Sequence, residues 1–266
     1  MLRPGQTFAE YVIDGFLGAG GSATVYRARQ KADRRHLVAL KVLDDHHRVP
    51  PELMRLQREF EFARRAHHPH VVAVERHGAG WLSMQLLDGG HVATLRTLAQ
   101  RLRALTQIAE ALDYVHRCGI IHCDVKPTNI LVGEPFCSAD AVLIDFGVAH
   151  ALAEDVHKER PLQIRASLPY LAPELLRGQM PTAVTDEYAL ACTTVELVTG
   201  SPPFVARTSM ELVDAQLYRP PPRISPNVSW VPRAFDSILQ TAMAKDREER
   251  YQTCTELMSM VTKVLR

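Results

Sequence analysis

Two rhythms of apolar and polar positions divide this 266-residue chain. Over roughly the first 90 residues the rhythm is short and β-like: residues 11–16 and 24–28 predict strands on either side of a glycine-rich stretch, and residues 36–43 predict a third. One helix interrupts them. Pro50 and Pro51 suit its first turn, where a missing N–H is harmless, and Leu53, Leu56, Phe60 and Ala63 repeat at helical spacing to about Ala66. Glu59 lies beside that inner stripe, whereas Glu61 falls on the outer side.

From Thr97 onward the period is helical. Leu98, Leu102, Leu105, Ile108, Leu112 and Val115 make a long inner face, with Gly119 placed to cap its C-terminus. Residues 130–132 and 141–144 bracket a hairpin. Residues 186–198 form an apolar helix stopped by Gly200 and Pro202-Pro203, and residues 235–243 and 254–265 predict two closing helices. The pattern predicts an α+β chain: a small β-rich lobe with one long helix, then a larger, mainly helical lobe. There are no repeats, and no Gly/Ser-rich linker splits the chain into independent domains.

Composition narrows the function classes only modestly. With 46% hydrophobic residues, the core is ample for one large domain. Lys and Arg total 31 against 30 Asp and Glu, so charge makes no case for a nucleic-acid partner, and none is expected. The basic cluster at residues 31–35 reads as a solvated turn. Five cysteines, an odd number without a Cys-x-x-Cys pair, point to reduced thiols and a cytoplasmic setting. No stretch approaches the roughly 20 apolar residues of a membrane span, and residues 1–10 are too polar for a signal peptide. The expectation is a cytoplasmic domain, or the cytosolic part of a longer, membrane-anchored protein.

The first chemical motif is Leu17-Gly18-Ala19-Gly20-Gly21-Ser22-Ala23-Thr24-Val25. Positions without side chains, set between two strands, let backbone N–H groups approach phosphate oxygens. A hairpin turn explains such a motif equally well when it stands alone. Here Val38-Ala39-Leu40-Lys41 follows one hairpin later. A buried strand lysine needs an anion beside it, which Glu59 or a phosphate can supply; a lysine reaching back to solvent is the plainer reading of Lys41 by itself.

The second motif is Ile121-His122-Cys123-Asp124-Val125-Lys126-Pro127-Thr128-Asn129-Ile130-Leu131, followed by Leu143-Ile144-Asp145-Phe146-Gly147 and, later, Ala172-Pro173-Glu174. With these residues the chain resembles the bacterial Ser/Thr branch of the eukaryotic-like protein kinases, over essentially its whole length. The resemblance implies a bilobal kinase fold filling residues 1–266, with the N-lobe and hinge in 1–87 and the C-lobe in 88–266. It implies ATP and Mg2+ or Mn2+ as cofactors and protein Ser/Thr hydroxyls as substrates. Asp145 and Asn129 would ligate the metal, Asp124 would orient the substrate hydroxyl and take its proton, and Lys126 would neutralise the transferring phosphate. Lys41 would grip the α and β phosphates, held by Glu59, under a loop of Leu17, Gly18, Ala19, Gly20, Gly21 and Ser22. Adenine would lie between Val25 and Ala39 above and Leu131 below, with Met84 as gatekeeper and the hinge backbone from Gln85 to Leu87 along its edge. Glu174 with Arg250, and Asp186, would be structural. A homodimer and self-phosphorylation are further expectations of the resemblance.

Three positions depart from the family pattern. Ala23 replaces the third loop glycine. Gln85 stands where an acid is usual. Cys123 occupies the place of an arginine that pairs with a phosphorylated activation segment, a bidentate contact no thiol can make. Between Asp145 and Glu174 the only hydroxyl residues are Ser167 and Tyr170. Ser167 sits where the family has a threonine bonded to Asp124 and Lys126. The segment therefore predicts a kinase that is not switched on by phosphorylation there. Cys123 reads as a small apolar filler before a redox centre, and His67, His68 and His70 as the family's turn after the N-lobe helix before a metal site. The alternative reading is a nucleotide-binding pseudokinase scaffold. A small-molecule phosphotransferase of the aminoglycoside-kinase type is disfavoured by Lys126 and the Ala172-Pro173-Glu174 segment.

Overall fold

The computed structural model describes residues 1–134, 140–151 and 167–265. Cys137 and most of the segment between Asp145 and Ser167 lie outside the described residues, and with them the sequence reading of that stretch.

The small lobe is a six-stranded antiparallel sheet in the order β1-β2-β3-β4-β6-β5. Its strands are β1 (Thr7–Phe8), β2 (Tyr11–Ala19), β3 (Ala23–Gln30), β4 (Leu37–Leu43), β5 (Val74–Gly78) and β6 (Trp81–Gln85). Alternation along β4 sorts its side chains. Val38, Leu40 and Val42 join Tyr11, Ile13, Tyr26 and Ala28 in a small core on one face, while Ala39 and Leu43 join the main core on the other. Helix α1 (Pro50–Arg65) packs on that second face and buries Leu56, Glu59, Phe60, Phe62 and Ala63.

The large lobe is built on α2 (Leu98–Arg117), whose Thr97–Gln100 capping box satisfies its first turn. Small antiparallel pairs follow: β7 (Ile120–Ile121) with β10 (His150–Ala151), and β8 (Ile130–Val132) with β9 (Ala141–Leu143). Helices α3 (Pro173–Leu176), α4 (Ala183–Thr199), α5 (Ser209–Tyr218), α6 (Arg233–Ala242) and α7 (Cys254–Leu265) complete it. Gly200 ends α4 at φ 85°, a conformation glycine adopts without Cβ strain. The expected helices are all present; α4 starts three residues earlier than the apolar run, its first turn held by Thr182 N–H donating to Thr185 Oγ1 at 3.0 Å. Helix α5 was not expected from the pattern, and neither were β5 and β6.

Backbone bonds tie the lobes together near the cleft. Val72 N–H donates to the Leu143 carbonyl and Leu143 N–H to that of His70, at 3.0 and 2.9 Å. Gly89 and Val132 are joined at 3.0 Å, and Val132 donates to Gly90 at 2.9 Å, which fixes β8 beneath the hinge.

Candidate active site

Strand register assembles the roof of the cleft. Val25 lies opposite Lys41 and Ala39 opposite Met84, and directly paired residues share a face of the sheet. Leu131, midway along β8, supplies the floor. At the hinge, Gln85 N–H donates to the Ala73 carbonyl at 2.8 Å while its side-chain oxygen accepts from Ala73 N–H at 3.3 Å. The loop between β2 and β3 closes through Gly20 N–H to the Ala23 carbonyl at 2.8 Å. A Cβ added at Gly18 would meet nothing within 4 Å, and at Gly20 only that carbonyl at 3.8 Å. The protein's own packing does not require glycine at either position.

Behind the roof, Lys41 Nζ lies 2.7 Å from both oxygens of Glu59 and 3.5 Å from Asp145 Oδ1. Burial works against the lysine's charge, but the two carboxylates outweigh it, so Lys41 stays protonated above its ordinary range. Asp145 is buried too. Its own burial is overcome by Lys41, by Arg55 and by the Gly147 N–H at 3.2 Å, and it is held well below the usual carboxylate range.

On the floor, Lys126 Nζ lies 3.0 and 2.8 Å from the Asp124 oxygens and 2.8 Å from Ser167 Oγ. Ser167 Oγ donates to Asp124 Oδ1 at 2.5 Å. The Asn129 amide nitrogen donates to the Asp124 carbonyl and to Oδ2, at 2.9 and 2.8 Å. This loop is suspended from α4: fully buried Asp186 accepts from the backbone N–H of His122 at 2.8 Å and of Cys123 at 2.7 Å, and bonds His116 at 2.8 Å. Burial would raise the Asp186 carboxyl, but these bonds and the two imidazoles hold it below its ordinary value. Cys123 and Asp145 take positive φ angles, 65° and 67°, in a region that non-glycine residues enter at a cost of roughly 1–3 kcal/mol. Both lie beside a candidate catalytic group and both are held by backbone or carboxylate bonds.

The profile of the family described as "Protein kinase domain" matches residues 11–261. The chain belongs to the protein kinase family. Serine/threonine-protein kinase PknJ of Mycobacterium tuberculosis is 38% identical over 268 residues, covering 96% of this chain and 45% of PknJ. PknE of the same species is 35% identical, covering 96% of this chain and 46% of PknE. The chain thus spans less than half the length of these curated relatives. Crystal structures of the M. tuberculosis PknI kinase domain match with a TM-score of 0.75 at 28% identity, over 100% of both chains.

Other kinase-family positions named from the sequence also come together. Arg250 pairs with both oxygens of Glu174, at 2.9 and 2.8 Å, far from the cleft. Cys123 is half-buried, with Sγ 3.7 Å from the Ile121 carbonyl. The histidine run is occupied in packing: His68 Nδ1 accepts from the His70 N–H, its ring lies on Tyr114, and His70 Nδ1 meets the Ala141 carbonyl. Asp113, His116 and Cys254 do converge within 4.8 Å, but Asp113 already caps α7 through Cys254 N–H, Thr255 N–H and Thr255 Oγ1.

Three contributors escaped the sequence reading. Arg55 reaches the backbone after Asp145, with Nε 3.1 Å from the Gly147 carbonyl. Buried Gln216 on α5 donates to the Leu168 and Pro169 carbonyls, at 3.1 and 2.7 Å, just after Ser167. Tyr170 donates its hydroxyl to Glu196 at 2.5 Å. Arg55 could have been found, since it lies four residues before Glu59 on the same helix. Gln216 carries no sequence signal: a single polar residue between Ala215 and Leu217 reads as a solvated position, with no hint of burial.

Proposed function

We propose that this chain is a Ser/Thr protein kinase domain that transfers the γ-phosphate of ATP to protein hydroxyls. The observation that carries the reading is the joint assembly of two polar clusters across one cleft, Lys41–Glu59–Asp145 and Asp124–Lys126–Asn129–Ser167. Phosphoryl transfer asks a protein mainly for positioning and charge neutralisation, and both are present.

A hard divalent cation suits the donor set, an ionised Asp145 carboxylate and the amide oxygen of Asn129, whose nitrogen is engaged by Asp124. When bound, Mg2+ or Mn2+ would supply neutralisation of the phosphate oxygens. Lys41, held by Glu59, grips the α and β phosphates. Val25, Ala39 and Leu131 enclose adenine beside Met84, and the Gln85 and Leu87 backbone meets its edge. Asp124 accepts the proton of the substrate hydroxyl, and Lys126 faces the moving phosphate. The run from Leu17 through Gly18, Ala19, Gly20 and Gly21 to Ser22 covers the phosphates.

Phosphorylation of Ser167 does not serve as the on-switch in this reading. Its hydroxyl is buried and already joins Asp124 to Lys126, so a phosphate there would set a dianion against the catalytic carboxylate. Cys123 offers no guanidinium to receive one.

The test is transfer of labelled γ-phosphate to the protein and to a generic basic substrate, beside an Asp124→Asn variant. Label on Ser or Thr that vanishes in the variant is expected. No label, with ATP still stabilising the fold, would favour the pseudokinase scaffold, the reading that Cys123 also allows.

A further inference from the structure

We infer that Arg55 is a positioning residue for the metal-binding segment, a second strut between α1 and Asp145 alongside the Lys41–Glu59 pair; the inference rests on the kinase reading above. Arg55 and Glu59 are one helical turn apart on α1 and so point from the same face. Glu59 holds a side chain, that of Lys41. Arg55 holds a backbone: its Nε donates to the Gly147 carbonyl at 3.1 Å.

Gly147 in turn donates its N–H to Asp145 Oδ1 at 3.2 Å, and Lys41 Nζ lies 3.5 Å from that same oxygen. The contacts form a closed ring: Arg55 to Gly147, to Asp145, to Lys41, to Glu59, and back through one turn of helix. The ring contains the residue at φ 67°, a conformation that persists only where its surroundings over-determine it.

Packing at Gly147 supports the same reading. A Cβ there would fall 2.9 Å from Arg55 Nε and 3.1 Å from Asp145 Oδ1. Glycine is therefore needed for the guanidinium to reach the carbonyl. Only 17% of the Arg55 side chain is exposed, with Glu52 3.9 Å away one turn earlier on the same helix. Movement of α1 would accordingly displace Asp145 through two separate side chains rather than one.

The experiment titrates Mg2+ at saturating ATP for the wild-type domain and for Arg55→Ala, Arg55→Gln and Arg55→Lys. It reads the phosphoryl-transfer rate and, separately, the metal-dependent rise in Tm with nucleotide. Loss of a charged hydrogen bond predicts that Arg55→Ala shifts the Mg2+ midpoint upward about tenfold or more in both readouts. Arg55→Lys, which keeps a cationic donor, should recover most of the shift. KM for the protein substrate should stay within about twofold. An unchanged Mg2+ midpoint in Arg55→Ala overturns the inference, as does an equal shift in Arg55→Lys, which would make the effect one of packing. If Arg55→Ala does not fold, Arg55→Gln against Arg55→Lys decides by the same criteria. Should the wild type transfer no phosphate, the Tm readout still decides the role of Arg55, so the two readings fail separately.

Discussion

The Lys41–Glu59 pair of the small lobe and the Arg250–Glu174 pair of the large lobe are built from the same kind of chemistry, a buried cation against a glutamate. Arg250 is saturated. It meets both Glu174 oxygens, the Ala244 and Val184 carbonyls at 2.9 and 3.0 Å, and Thr185 donates to Glu174 at 2.8 Å. The Arg250 and Glu174 side chains are 0% and 3% exposed. Burial would raise the Glu174 carboxyl, but Arg250 holds it below its ordinary value. Lys41 is left open by contrast: its side chain is 18% exposed, and a second carboxylate, Asp145, which Arg55 also helps to keep ionised, stands 3.5 Å away. A closed pair fixes α3 to the chain just before α7, whereas one with an open side and a second carboxylate beside it can take in a cation and a phosphate. Burial alone does not distinguish a structural ion pair from a working one; the second carboxylate and the exposure do.

The largest way to break the comparison is Arg250→Ala. Removing one partner of a buried pair leaves an uncompensated charge, so the domain should lose about 3–5 kcal/mol of stability, read as a denaturant midpoint. Next is Lys41→Ala, which should lower kcat/KM by roughly 10²–10³-fold while moving Tm little. If Lys41→Ala instead destabilised the fold as much as Arg250→Ala, the distinction between the pairs would fail.

The smallest effect sharpens the rule. Glu187, next to Asp186 on α4, is buried, and neither of its oxygens has a hydrogen-bond partner among the described residues. Burial pushes its carboxyl well above the ordinary range, against a partial opposing effect of Arg250. Its folded-state value being raised, the protein binds that proton more tightly folded than unfolded. Its stabilising contribution is complete below the unfolded value and declines as pH rises toward the folded one. Glu187→Leu should therefore raise Tm more at pH 8 than at pH 5. Equal shifts at both pH values would show that Glu187 is not a protonated, unpaired acid.

Much of this was legible in the residues. Helical spacing separated Glu59 from Glu61, because a buried stripe obeys the geometry of its element, whereas Val25, Ala39 and Lys41 were grouped by the family resemblance, and the strand register puts them on one face. Helix α5 was not legible, since it buries only Ala215 and Gln216 and exposes Met210 and Tyr218. Leu212 and Ala215 alone meet the core, and Gln216 adds hydrogen bonds to the backbone after Ser167, which leaves too short an apolar period to read. Strand β5 was missed for a related reason: most of its residues are solvated at a sheet edge. The ring through Arg55 escaped because it closes on a backbone carbonyl, and a motif search registers side chains alone.

The central claim is a catalytic cluster already built around an unmodified Ser167. The measurement that tests it most directly is the initial rate of γ-phosphate transfer by protein treated with phosphatase, its unmodified state verified by mass. Full rate is expected from the first time point, with no lag and no gain after self-phosphorylation. A lag that shortens with protein concentration, or a strong rise in turnover once Ser167 carries phosphate, would contradict it.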